Sequence, residues 1–160
     1  MSEAPRKNRK QVVEALHEVA AEMHNRMQRG DPPRMILPVR SKTNISFDNK
    51  LGVFKYGKNK TVRDATKLGS ARQLLRTLHI TEFIEEMIDS EKSSTLREMY
   101  YISEGWGNGK FGSQNESNNL AEDLEIVTKC LREDFKLRPE EDGARIIGNI
   151  TVEERNRRGE

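Results

Sequence analysis

The chain has 160 residues, charged and hydrophobic in equal measure at 34% each, and 28 basic against 26 acidic side chains leave a net charge of only +2. That length fits one domain with an appended arm, and the near-neutral balance excludes a histone-like polycation but not DNA binding, which depends on where charge sits. No apolar run is long enough to span a membrane, the opening residues do not read as a secretory signal, and the single cysteine, Cys130, excludes an internal disulfide and fits a reducing compartment.

Residues 1–10, with Arg6, Lys7, Arg9 and Lys10, read as a basic, frayed arm. From Gln11 to Arg29 the period is helical. Val12, Leu16, Val19, Ala20, Met23 and Met27 form a stripe that either packs at home or docks a partner, and Gly30-Asp31-Pro32-Pro33 stops it. His17 and His24 lie seven apart, but with His79 and Cys130 they make no set of zinc-ligand spacing, so no metal site is expected.

A β-leaning region follows. Met35–Val39 is a short apolar run, and Ile45–Phe47 and Val53–Tyr56 flank turn residues, which predicts a hairpin ending at Gly57. Lys58–Arg63 reads as a solvated basic loop. Helices resume near Ser70 with Ala71, Leu74, Leu75 and Leu78, and Thr81 is the expected cap of a second helix carrying Phe83, Ile84, Met87 and Ile88. Residues 89–94 make a turn.

Thr95-Leu96-Arg97-Glu98 then has the form of a capping box, so a helix is expected from Leu96. At about 100° per residue, Leu96, Met99, Tyr100 and Ser103 share one face and Arg97, Tyr101 and Glu104 the other. One tyrosine of the pair packs inward and the other points out, one turn above Arg97. A phenol, a guanidinium and a helix N-terminus together form a place to receive a phosphodiester. With two helices before it, this one takes the position of a helix-turn-helix recognition helix. Gly105–Gly109 ends it with Trp106 as an anchor. Asn119 and Glu122 suggest the cap of a further helix with a stripe at Leu120, Leu124, Val127, Leu131 and Phe135, Cys130 packs and is inert, and Ala144–Val152 reads as a strand.

Arg97-Glu98-Met99-Tyr100-Tyr101, after a Ser/Thr-rich turn and an apolar helix, resembles the catalytic tyrosine motif of the topoisomerase VI A-subunit family, which includes the eukaryotic meiotic double-strand-break transesterase. The resemblance extends from the first helix to residues 148–158. It implies a mainly α fold with a small β component: a winged-helix, CAP-like domain with an extra N-terminal helix. It implies residues 1–30 as arm and docking helix, 31–152 as the domain carrying the tyrosine, and 153–160 as a linker toward a Toprim domain absent from these residues. Tyr101 takes the place of the nucleophile and Arg97 that of the arginine which positions the phosphate. Lys92 and Ser94, just before the helix, join Arg97 as expected DNA contacts.

The implied function is the DNA-binding and DNA-cleaving half of the A-subunit of a type IIB DNA topoisomerase, making a 5′-phosphotyrosine bond. Magnesium would be held by the Toprim domain, and ATP by the partner B-subunit. Double-stranded DNA, the B-subunit of topoisomerase VI and a second copy of the A-subunit are the implied partners, in the cytoplasm of a prokaryote or the nucleus of a eukaryote. The chain alone would bind DNA weakly and cut nothing. From the residues alone, a non-catalytic winged-helix DNA-binding module or a subunit-docking module remains the alternative.

Overall fold

The computed structural model describes residues 7–49 and 53–138. Helix α1 (Arg9–Gln28) opens on a complete capping box, in which the Asn8 side chain takes the Gln11 N–H at 3.0 Å and the Gln11 side chain takes the Asn8 N–H at 3.0 Å. Its stripe of Val12, Leu16, Val19 and Met23 is buried in the main hydrophobic core, against α2 (Leu68–Asp89), α4 (Gln114–Thr128) and strand β1 (Arg34–Pro38). Of the two roles open to this stripe, packing at home is the one observed; these four side chains are not free to dock a partner.

β1 pairs antiparallel with β4 (Lys60–Asp64), placing Ile36 opposite Val62, and the two strands enclose a second hairpin of β2 (Ile45–Asp48) and β3 (Val53–Tyr56). The inner hairpin falls where the turn residues predict. The basic stretch before Arg63 is not a loop: from Lys60 it is a strand, because its partner lies across the whole hairpin rather than next to it.

α2 corrects the expectation of two helices. Thr81 does not cap anything. It is buried, and its hydroxyl donates to the Thr77 carbonyl at 2.9 Å, one turn back, so a single 22-residue helix passes through it. The helix ends in a Schellman turn: Lys92 N–H donates to Met87 O at 3.0 Å and Glu91 N–H to Ile88 O at 3.4 Å, with Glu91 in the left-handed region at φ 55°. β5 (Ser94–Thr95) and α3 (Leu96–Ile102) follow, then a 3-10 segment over Ser103–Gly109.

α4 begins five residues before Asn119, at Gln114, with the Ser113 hydroxyl accepting from Glu116 N–H at 3.2 Å, and stops at Lys129 in the left-handed region. Leu120 and Leu124 are buried on it. Leu131 and Phe135 lie beyond its end, the first exposed and the second in the core. β6 (Leu137–Arg138) returns to pair in parallel with β5.

The architecture is mainly α with small two-stranded sheets. With α2 continuous, α3 is the third of four α-helices and follows α2 directly across the turn at residues 90–94. The strand expected over Ala144–Val152 and the linker over 153–160 lie outside the described residues. No described helix is long and apolar enough to cross a membrane.

Arg63 of β4 and Arg40, just past the end of β1, converge on α4. Asp123, 5% exposed, accepts from Arg40 and lies 2.9 Å from Arg63 Nη1, and Arg40 also pairs with Glu122. A buried carboxylate needs such partners, since an unpaired charge there costs several kcal/mol, roughly 3–5 on loss of a partner.

Candidate functional site

The geometry of α3 follows from its first four residues. Thr95 Oγ1 accepts from Glu98 N–H at 3.0 Å, and Glu98 Oε2 accepts from Thr95 N–H at 2.7 Å. The capping box fixes where the helix starts and hence its phase. Leu96, Met99 and Ser103 are buried, Tyr100 packs half-buried against the core, and Tyr101 is 56% exposed. The inward and outward tyrosines are as the periodicity predicts.

The guanidinium carbon of Arg97 sits 5.9 Å from the centroid of the Tyr101 ring, within cation–π range. The Tyr100 ring stands 5.5 Å away, tilted by 58°. The outward phenol therefore has a cation and a half-buried ring as near neighbours. A groove of about 630 Å³ runs past it between the end of α2 and α3, lined by Met87, Lys92, Ser94, Glu98 and Ile102 among others. Lys92 is exposed at its rim, and the Schellman turn holds its backbone.

Ser94 and the helix terminus differ from expectation. Ser94 is buried, and its hydroxyl donates to Glu98 Oε2 at 3.1 Å, so it supports the cap rather than offering itself to DNA. The Glu98 carboxylate sits over the first turn, where a phosphate was expected.

The Thr95 N–H bond, helped by the Ser94 hydroxyl, holds the Glu98 carboxyl below its ordinary value of 4.5. A lowered pKa contributes stability above the unfolded value and loses it as pH falls through the folded one. Glu98→Gln keeps a neutral cap but removes this titration. Its melting temperature should lie below wild type at neutral pH, and the gap should narrow as pH falls below 4.5 and through the lowered value of the folded protein. A gap of constant size would refute the assignment.

The far end of α3 is anchored by aromatic packing. Trp106 stacks on His79 of α2 at 5.1 Å and 16° and meets Phe111 edge-on at 5.3 Å. Gly109 is pressed so closely to His79 that a Cβ would lie 2.3 Å from its ring. Ser103 donates to the Tyr100 carbonyl at 2.6 Å and accepts from Phe111 N–H at 3.3 Å. The glycines here turn the chain, as the sequence suggests; the close approach to His79 carries no sequence signal.

Among the described residues no group of three or more His, Cys, Asp or Glu could hold a metal ion. His17 is hydrogen-bonded to Glu85 at 2.9 Å and His24 is exposed.

An outward tyrosine beside an arginine, on the second helix of a helix-turn-helix order, is an arrangement suited to a phosphodiester. Residues 72–137, which include it, match the family described as Type IIB DNA topoisomerase.

The whole chain aligns with the A-subunit of type 2 DNA topoisomerase 6 from Halobacterium salinarum at 41% identity, covering 44% of that protein. The same protein of Archaeoglobus fulgidus is 43% identical over 94% of the chain and 42% of its own length, and that of Methanosarcina barkeri 45% identical over 92% and 40%. The resemblance carried by the tyrosine motif thus holds along the chain, which spans less than half the length of these curated relatives and corresponds to their N-terminal part.

Proposed function

We propose that this chain is the tyrosine-bearing part of the A-subunit of a type IIB DNA topoisomerase, and that Tyr101 attacks a DNA phosphodiester. The observation that carries the reading is the exposed Tyr101 ring under the Arg97 guanidinium, on a helix whose phase is fixed by its cap. Tyr101 Oη forms a bond to phosphorus, the bond to the 3′ oxygen breaks, the phenol proton is lost and the leaving oxygen gains one. The strand is left with a free 3′-hydroxyl and a 5′ end joined to Tyr101. One ester replaces another, so the step is reversible and the strand can be resealed.

A phenol is neutral at pH 7, with a pKa near ~10, and attacks phosphorus only with help. Arg97 supplies part of it by binding two phosphate oxygens at once. No described cluster fits magnesium; by the resemblance the metal belongs to a Toprim domain, and ATP to the partner B-subunit. The substrate is double-stranded DNA, and two copies of the A-subunit work together. Lys92, at the groove rim, is the remaining DNA contact of the expected set.

The test is capture of labelled duplex DNA as a covalent 5′ adduct when a Toprim-bearing chain and magnesium are supplied. Arg97→Ala should lower adduct formation about 10²–10³-fold. Arg97→Lys should not restore it fully, because an ammonium cannot make the two-pronged contact. Undiminished capture by Arg97→Ala would remove Arg97 from the mechanism.

A further inference from the structure

Charge along this chain is far from even. Residues 34–67, the nested hairpins, hold nine Lys or Arg against two Asp, a net of +7 in a chain whose total is +2. The other residues are therefore net acidic.

Part of this charge is neutralised in place. Arg40 and Arg63 turn inward to Asp123, and Lys55 pairs with Asp48 at 2.6 Å. Lys42, Lys58 and Lys60 are exposed, and no ion pair with a described residue holds them. In the β1–β4 register Lys60 shares the outer face with Ile36 and Val62, both exposed, while Met35 and Leu37 on the opposite face are in the core.

One buried side chain ties together the segments that carry these three lysines. Asn44, 4% exposed, donates from Nδ2 to the carbonyls of Val39 and Asn59 at 2.9 Å each, and its Oδ1 accepts from Asn59 N–H at 3.0 Å. Its own carbonyl takes the Gly57 N–H at 2.6 Å. Gly57 is packed so tightly on it that a Cβ would lie 2.5 Å from Oδ1. This knot ties the junction of the two hairpins. Lys58 and Lys60 flank Asn59, and Lys42 starts the 3-10 turn that ends at Asn44.

We infer that the Asn44 knot presents Lys42, Lys58 and Lys60 as a grip on the phosphate backbone of duplex DNA, separate from the tyrosine groove. This rests on DNA being the substrate of the tyrosine and adds a second contact to it. Three exposed lysines on segments tied by one buried side chain can contact phosphates without reading sequence. The ribbon leads into the start of α2, and the Tyr101 groove borders its end at Met87. About 30 Å of helix lies between the end of the ribbon and the groove, so the two contacts are separate places on the molecule.

The experiment measures binding of the whole chain to a short DNA duplex against salt concentration. Lys42→Ala/Lys58→Ala/Lys60→Ala should weaken binding about tenfold or more at low salt and reduce the log–log slope by about 2 to 3. Tyr101→Phe should leave the slope unchanged. So should alanine at Lys10, Arg29 and Lys129, which removes the same charge from α1 and the end of α4. A normal melting curve for the ribbon variant excludes misfolding.

An unchanged slope in the ribbon variant, or a wild-type chain that does not bind duplex at low salt, overturns the inference. Competition by poly-glutamate as effective as that of DNA would also overturn it, in favour of an acidic protein partner. The tyrosine reading is judged separately by the covalent adduct. An adduct with no slope change sinks the ribbon alone, and a slope change with no adduct sinks the tyrosine alone.

Discussion

Tyr101→Phe removes one oxygen atom, and the expected result is complete loss of covalent DNA capture by a protein that folds as before. The ring is more than half exposed and its hydroxyl bonds no described residue, so the melting temperature should shift by no more than a surface change does, within about 0.5 kcal/mol. The neighbouring tyrosine offers no substitute, because the cap fixes the helical phase and holds Tyr100 against the core. Tyr100→Phe should retain capture within a fewfold and register, if at all, in stability. A phosphotyrosine adduct formed by Tyr101→Phe protein, or its loss in Tyr100→Phe alone, would move the nucleophile one residue back.

Deleting residues 1–29 should abolish the fold. Val12, Leu16, Val19 and Met23 are 0–8% exposed and belong to the same core cluster as Leu120, Leu124 and Ile80. Full burial of each side chain contributes about 1.5–3 kcal/mol, so together they approach the roughly 5–15 kcal/mol that holds a typical domain. The truncated protein should lack a cooperative melting transition. Leu16→Ala should on its own cost about 2–5 kcal/mol. A truncated chain that melts cooperatively would show α1 to be an accessory helix.

The tyrosine helix was legible because its signals are local. A threonine, a glutamate three residues on and an apolar period set both its start and its phase. α1 and the inner hairpin were legible for the same reason. What escaped depends on distant partners or on satisfied alternatives. Thr81 followed by Glu82 has the look of a helix start, but inside a helix a threonine hydroxyl can return to the carbonyl one turn back. α4 opens with polar turns, so its apolar period begins at Leu120, well after its cap at Ser113. β4 pairs with a strand on the far side of another hairpin. Ser94 looked available because Ser/Thr residues in a turn before a helix are usually solvated; only the fold shows it bonded beneath Glu98. The Asp123 pairs and the Asn44 knot join residues up to 83 positions apart, a separation that no spacing rule covers.

Trp106 is the only tryptophan of the chain, and it sits where the tyrosine helix is fastened to α2. Indole emission from this protein therefore reports on one place. While the ring lies on His79 and against Phe111 it is partly shielded from water, and any parting of the 3-10 segment from α2 would wet it and move its emission to longer wavelength. Strand breakage requires the attacking oxygen to meet phosphorus in line, and that alignment is only as steady as this fastening. A titration with DNA followed by tryptophan fluorescence would separate a rigid tyrosine platform, with a constant emission maximum, from one that rocks about its anchor as the duplex arrives.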